Sequence, residues 1–453
     1  MTLFVRIFLV FILIVGATLT STAQVSPHSI SGIILNAADS TPVSYAHVSI
    51  PSQQIGVMAN EDGAFQLNFE AISLFDTLRI SHLGFEAYAQ AVNRIDTASV
   101  RYFLRPDVYA LSEIIITPRE DSSKLIVRAA LKRLKENYPV KPFQMTAFYR
   151  EKAQSRDNYA YTQLMEAAIA IQDPGVNDPP ENIKIRLDQF RKSNDLADYS
   201  LMQKIWKRLL GEQNNLYGIL IQDPVRNLKF NNIDDLISSY CLECLLDKAV
   251  WWLSGTTSMN NEPVYQVNFV FNSGSGKLFI NQADLGFYRI EYNLESRWNL
   301  SDEGLSDQQK KVFNEAKYGT EQFNYQGDLN GRIVVNYQKI KGKYYPSFIE
   351  WLQLGNYRKS NIEGKSRTIG YNTCTLMVTA IETNKKEMTR LKKRQVVNRE
   401  NPLGAMSKEY DPKFWAGYNT LLLTPLEEKL IKDLEFESSL EEQFSENSNG
   451  NKR

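Results

Sequence analysis

The sequence predicts a mainly β protein with some α. A small N-terminal β-sandwich is followed by a larger antiparallel β-sheet domain with helices. Three observations carry that reading. Residues 30–104 show short alternating strands, with turn signals roughly every 8–12 residues. From residue 264 the alternation returns, first in Tyr265, Val267, Phe269 and Phe271, then in Tyr288, Ile290, Tyr292 and Leu294. Helical spacing is clearest in one stripe, Val127, Ala130, Leu131, Leu134 and Tyr138. The chain has 453 residues, 43% apolar and 23% charged, enough apolar material for a packed core. Its 52 basic and 52 acidic side chains cancel, which argues against a nucleic-acid partner.

Residues 1–23 read as a signal peptide. Arg6 supplies the early positive charge, and the run from Ile7 to Val15 is too short to span a bilayer. Ser21 and Ala23 suit the small positions before a cut after Ala23. The mature protein is therefore expected to be exported and water-soluble, or attached to a membrane by something other than a helix.

Residues 26–106 form the expected sandwich. Ser31 to Asn36 opens it, and a turn spans Ala38 to Pro42. Ala46, Val48 and Ile50 alternate next. Asn60 to Gly63 is a turn, since glycine tolerates positive φ. Phe65, Leu67 and Phe69 follow, then Asp76 to Ser81, and Val100 to Leu104 closes the unit. Gly32, Thr41-Pro42, Ala46 to Val48, Asn60 to Phe65 and His82 to Phe85 together resemble the carboxypeptidase-regulatory-like domain, an immunoglobulin- or transthyretin-like sandwich. That resemblance implies no catalytic residues in the domain. It also implies the company of exported outer-membrane proteins of Bacteroidetes type. There the domain often precedes TonB-dependent receptor plugs, and Leu111 to Thr117 resembles the segment that follows it in them.

Residues 107–120 read as a linker, with Ile114 to Ile116 strand-like. Residues 121–435 read as one α+β domain. Asp121 to Ser123 can cap the amphipathic helix, and Pro139 ends it. Phe143 to Arg150 reads as a strand, and Tyr159 to Ile171 as a strand or a helix. A looser stretch, 172–235, includes a predicted helix at Leu201 to Leu210, and 301–317 reads as polar and helix-like. Ile333 to Val335, Tyr344 to Leu354 and Thr375 to Ile381 complete an antiparallel meander with one buried face. The Tyr265 to Asn293 hairpin resembles the curved sheet of lipoprotein-carrier-like half-barrels, which implies a concave face that receives a lipid or partner. Phe414 to Tyr418 with Thr424 to Glu428 resembles the ends of exported proteins whose C-terminal region is uncharacterised. Residues 436–453, rich in Ser, Glu and Asn, read as a disordered tail.

No catalytic constellation emerges, and no cofactor or metal site is expected. The only histidines are His28, His47 and His82, all in or beside the sandwich. A histidine-based triad or zinc peptidase site in the large domain is thereby excluded. Cys241 and Cys244 form the one spacing with chemical meaning. They are a structural disulfide, a pair of thiols or a redox pair. On a strand they would face opposite sides and pair poorly. A zinc site would need two more ligands, and only Cys374 remains. Asp234, Asp235, Glu291 and Glu350 offer carboxylates, but no pair assembles from sequence. Trp251, Trp252, Tyr344 and Trp351 either line a ligand pocket or pack the sheet. The basic run Lys385 to Arg399 is either a solvated loop or a contact for anionic headgroups.

The expected function is an exported, non-enzymatic binding or assembly protein of the periplasm or outer membrane. The sandwich would dock, and the β-rich domain would take a lipid, glycan or envelope protein, with peripheral outer-membrane association. The alternatives are a carboxylate-only, glycosidase-like hydrolase and an accessory of a TonB-dependent system.

Overall fold

The computed structural model describes residues 28–448, except 71, 96–99, 108–120, 156–157, 198–214, 227–241, 273, 302–323, 360–366, 399–400 and 426–427. The leader, the linker strand and the predicted helices at 201–210 and 301–317 lie wholly or largely outside the described residues.

Among the described residues the sandwich has seven strands. β1 (His28–Asn36), β4 (Ala64–Phe69) and β7 (Val100–Leu104) form one sheet in the order β4-β1-β7. β2 (His47–Ile50), β3 (Ile55–Met58), β5 (Thr77–Ser81) and β6 (Tyr88–Ala91) form the other, in the order β3-β2-β5-β6. β1 and β7 are parallel, and the remaining pairs are antiparallel. Ile34, Val48, Leu67, Leu78 and Ile80 meet between the sheets with no exposed surface. The predicted turn at Gly63 is required sterically. Its φ is +75°, and a Cβ there would lie 2.3 Å from the Ile34 carbonyl oxygen. Asn60 holds the turn by accepting from the Asp62 and Ala64 amides at 3.0 and 2.8 Å.

Among the described residues the large sheet is a curled half-barrel of ten antiparallel strands. β8 (Phe143–Gln154), β9 (Tyr161–Asp173) and β10 (Lys184–Lys192) come first. β11 (Val250–Met259), β12 (Glu262–Phe271), β13 (Gly274–Asn281) and β14 (Phe287–Ser301) follow. β15 (Asn324–Ile340), β16 (Lys343–Lys359) and β17 (Arg367–Glu382) finish it. The meander β11 to β17 continues through β8 and β9 to β10. Tyr161–Asp173 is thus a strand, because both its edges are paired.

Alternation gives the sheet two faces. The inner face carries Tyr149, Ile169, Phe269, Ile290, Tyr292, Ile333, Leu376 and Val378. It is covered by α1 (Asp121–Lys132), α3 (Asn215–Ile221) and α4 (Leu242–Leu245), through Val127, Ala130, Leu216, Ile219, Leu242 and Leu245. The predicted stripe breaks at Arg133 and resumes as the short α2 (Leu134–Asn137), which delivers buried Tyr138 to the same core. Buried side chains of this face and of these helices form one apolar cluster. The outer face carries Phe148, Ala168, Phe348 and Met377, which pack against the sandwich.

The chain end departs from the expected tail. α5 (Pro412–Gly417), α6 (Glu428–Leu434) and α7 (Leu440–Asn447) follow the last strand. Polar composition at 436–453 concealed two local devices. Ser439 and Glu442 form a capping box, and Phe444 buries itself beside Leu164, Leu430 and Leu434. Among the described residues no helix is long and apolar enough to cross a membrane.

Candidate functional site

The outer face is built around a C-terminal strap. Asp411 caps α5 by accepting from the Lys413 and Phe414 amides at 3.0 and 3.2 Å, and Pro412 presets its first turn. This places Trp415 against Phe148 of β8, while the Tyr418 hydroxyl donates to the Ala147 carbonyl at 2.9 Å. Asn419 then mimics a strand partner for β4. Its side chain accepts from the Asn68 amide at 2.7 Å and donates to the Asn68 carbonyl at 3.0 Å. Asn60 donates to the Leu423 carbonyl at 3.2 Å. The strap thereby ties sandwich to sheet.

A buried ion cluster lies under it. Glu166 on β9 accepts from Arg150 on β8 at 2.6 Å and from Arg191 on β10 at 2.5 Å. Arg150 also donates to the Leu421 carbonyl at 2.9 Å, and the Arg191 guanidinium lies 4.2 Å from the Trp415 ring centre. Burial alone would raise the Glu166 pKa, but the two guanidinium charges outweigh it and hold the carboxyl below its ordinary range.

Beside the strap, sandwich and sheet enclose an open cleft of about 920 Å³. Phe69, Phe414 and Tyr418 supply aromatic surface. Asn68, Glu70, Thr146 and Thr379 supply amide, carboxylate and hydroxyl groups. The Phe414 and Tyr418 rings stack at 5.1 Å. A second, small cavity of about 50 Å³ lies at the other contact between sandwich and sheet. It is lined by His47, His82, Asn260 and Tyr288 among others. Burial lowers the pKa of both His47 and His82 to about 4, aided by Arg79 and Arg289 respectively. His82 Nδ1 bonds the Leu83 carbonyl at 2.8 Å, whereas buried His47 Nε2 has no partner among the described residues. Both rings are neutral junction residues. No group of three or more metal-ligating side chains comes together among the described residues.

A family model described as CarboxypepD_reg-like domain matches residues 30–116. Residues 30–116 are a carboxypeptidase-regulatory-like domain. No curated protein matches the chain significantly. Three solved structures are similar to it. An outer-membrane lipoprotein-sorting protein domain from Vibrio parahaemolyticus is 8% identical, over 59% of this chain and 94% of that one, at a TM-score of 0.21. A DUF1329 family protein from Desulfovibrio piger is 8% identical, over 59% and 95%, at 0.20. A chain of the Pseudomonas aeruginosa MucA/MucB complex is 9% identical, over 58% and 94%, at 0.18.

The regulatory-like domain contributes Phe69 and Glu70 to the cleft, and sequence reasoning singled out neither for binding. The aromatics it did single out lie apart from the cleft. Trp251 is buried on the inner face against Phe269 at 4.8 Å, and Trp252 is exposed on the opposite face of the same strand. The Tyr344 hydroxyl donates to Asp284 at 2.9 Å and accepts from Asn281 at 3.0 Å, within a strand-end network that includes Lys339. Trp351 packs over Gly218 of α3, where a Cβ would come within 3.1 Å of its ring.

Cys244 lies on helix α4, not on a strand, and is disulfide-bonded; Cys241 lies outside the described residues. Cys374 is a free, buried thiol whose pKa burial pushes up, beside Glu151 and Tyr149. Asp234 and Asp235 also lie outside the described residues. Strand register sets Glu291 and Glu350 in one outer-face row, with Val334 between them. Two strand spacings put their backbones roughly 9–10 Å apart. Glu291 is bonded to Arg289 at 2.6 Å, and burial raises the Glu350 pKa. The signal that brings these residues together is non-local pairing, which no window of sequence displays.

Proposed function

We propose that this chain is an exported envelope protein that binds a glycan, without turnover, in the cleft between its regulatory-like domain and its half-barrel. The observation that carries the reading is the cleft itself. Its volume suits a small-molecule or oligomeric ligand. Aromatic faces beside amide, carboxylate and hydroxyl groups match the two-sided chemistry of a sugar ring, apolar on its faces and hydrogen-bonding at its rim. A lipid held between sheet and helices has less support, because the described side chains there form one buried apolar cluster. Export is supported by the signal-like leader.

The test is calorimetric titration with peptidoglycan fragments and cell-surface oligosaccharides. Binding that weakens about tenfold or more in Phe414→Ala is expected. A panel in which no glycan binds sinks the proposal. A second reading, hydrolysis by Glu291 and Glu350, is favoured by their shared row and by the raised pKa of Glu350. Release of reducing sugar that stops in Glu350→Gln would replace the first reading with the second.

A further inference from the structure

The turn between β4 and β5 presents bare apolar side chains. Leu74 is 81% exposed and Phe75 is 87% exposed. Beneath them Asp76 is buried and rigidly held. It accepts from the Ser52 hydroxyl at 2.6 Å, the Gln53 amide group at 2.8 Å and the Ser73 amide at 2.7 Å. The turn is therefore anchored at Ser73 and Asp76, on either side of the exposed pair. Next to Gln53, the Gln54 carbonyl accepts from the Ile381 amide at 3.1 Å, where β17 ends.

Just past that strand end comes the basic run. Lys385, Lys386, Arg390, Lys392, Lys393 and Arg394 are all exposed, against one acid, Glu387. None of the six forms an ion pair among the described residues. The Thr389 amide donates to Gln144 at 3.0 Å, which pins the loop over the start of β8, beside exposed Lys141. Apolar tip and cationic loop thus share the end of the sheet where β17 finishes and β8 begins.

We propose that this edge docks on a bilayer surface containing anionic phospholipid. Leu74 and Phe75 enter the interfacial region, and the basic run faces headgroup phosphates. Charge complementarity selects the partner, because six unpaired cations gather on a chain of zero net charge. A protruding tip also suits a bilayer better than a folded protein, which would need a matching pocket.

The experiment sediments the chain, freed of residues 1–23, with two kinds of vesicle: phosphatidylcholine alone, and phosphatidylcholine mixed with phosphatidylglycerol. Removal of the leader matters because its apolar run would bind lipid by itself. Expected is binding to the mixed vesicles that added salt weakens. Lys385→Gln with Lys386→Gln lowers it about 25-fold, at roughly fivefold per cation. Leu74→Ser with Phe75→Ser abolishes it without moving the melting midpoint, since both side chains are already in water. No sedimentation with mixed vesicles, or sedimentation equal in the parent and both variants, overturns the proposal.

Discussion

Replacing Glu166 by Gln tests whether the ion cluster holds the strap in place. Glu166 is 1% exposed and Arg150 3% exposed, so their charges have little water to fall back on. The substitution keeps shape but leaves two guanidinium groups facing a neutral amide. Breaking a buried ion pair from one side costs about 3–5 kcal/mol. At about 2 °C per kcal/mol for a large cooperative unit, the melting midpoint falls by roughly 6–10 °C. Calorimetry reads that fall, and Trp415 emission reads the strap, because Arg191 stacks on its ring. A pH series adds an independent arm. The folded pKa of Glu166 is lowered from 4.5, so its contribution is fully present above that value. It is lost as pH falls below 4.5 towards the folded pKa, and the Gln variant lacks this part of the acid slope. An unchanged midpoint with an unchanged acid slope would refute the argument.

Three further outcomes follow from the same contacts. His47 and His82 have folded pKa values of about 4 against 6.5 when free, so the unfolded chain binds more protons between those values. Stability should therefore decline as pH drops from 6.5 towards 4, and His47→Gln should flatten that decline in pH-dependent melts. Cys374 should resist thiol reagents in the native protein and react only on unfolding, because burial disfavours its thiolate; rapid native labelling would contradict its placement. Ser439→Ala removes the capping box of α7 at about 1 kcal/mol, read as faster amide exchange over 440–447 without global unfolding.

Local signals revealed most of the architecture. Strict alternation in Tyr265 to Phe271 marked β12, and the turn at Asn60 to Gly63 marked a site where only glycine fits. The helical stripe from Val127 survived as α1 and α2 because Tyr138 still reaches the core. Local composition misled where two or three residues outweighed their neighbours. Phe444 and the Ser439 cap make a helix of a segment that reads as solvent-loving. The cleft was illegible for a different reason. Phe69 and Phe414 are 345 positions apart, and each alone reads as ordinary core.

Strand register explains what composition hid about charge. Across the outer face, Lys277, Glu291, Val334, Glu350, Thr375, Arg150, Glu166 and Arg191 stand in one cross-strand row. Seven of these eight are polar, on a face that also buries Phe148 and Met377. Cross-strand neighbours of opposite charge attract, so the row favours this register over a slip of one residue. A slip would turn Glu166 and Arg150 inward among Tyr149 and Ile169, where nothing could pair them. The zero net charge is thus compatible with two opposite arrangements. Acid and base are neighbours at the two ends of this row, as Lys277 beside Glu291 and as Glu166 between Arg150 and Arg191, and cation is left unmatched in the loop beyond β17. The first arrangement fixes the sheet, and the second leaves charge available to a partner.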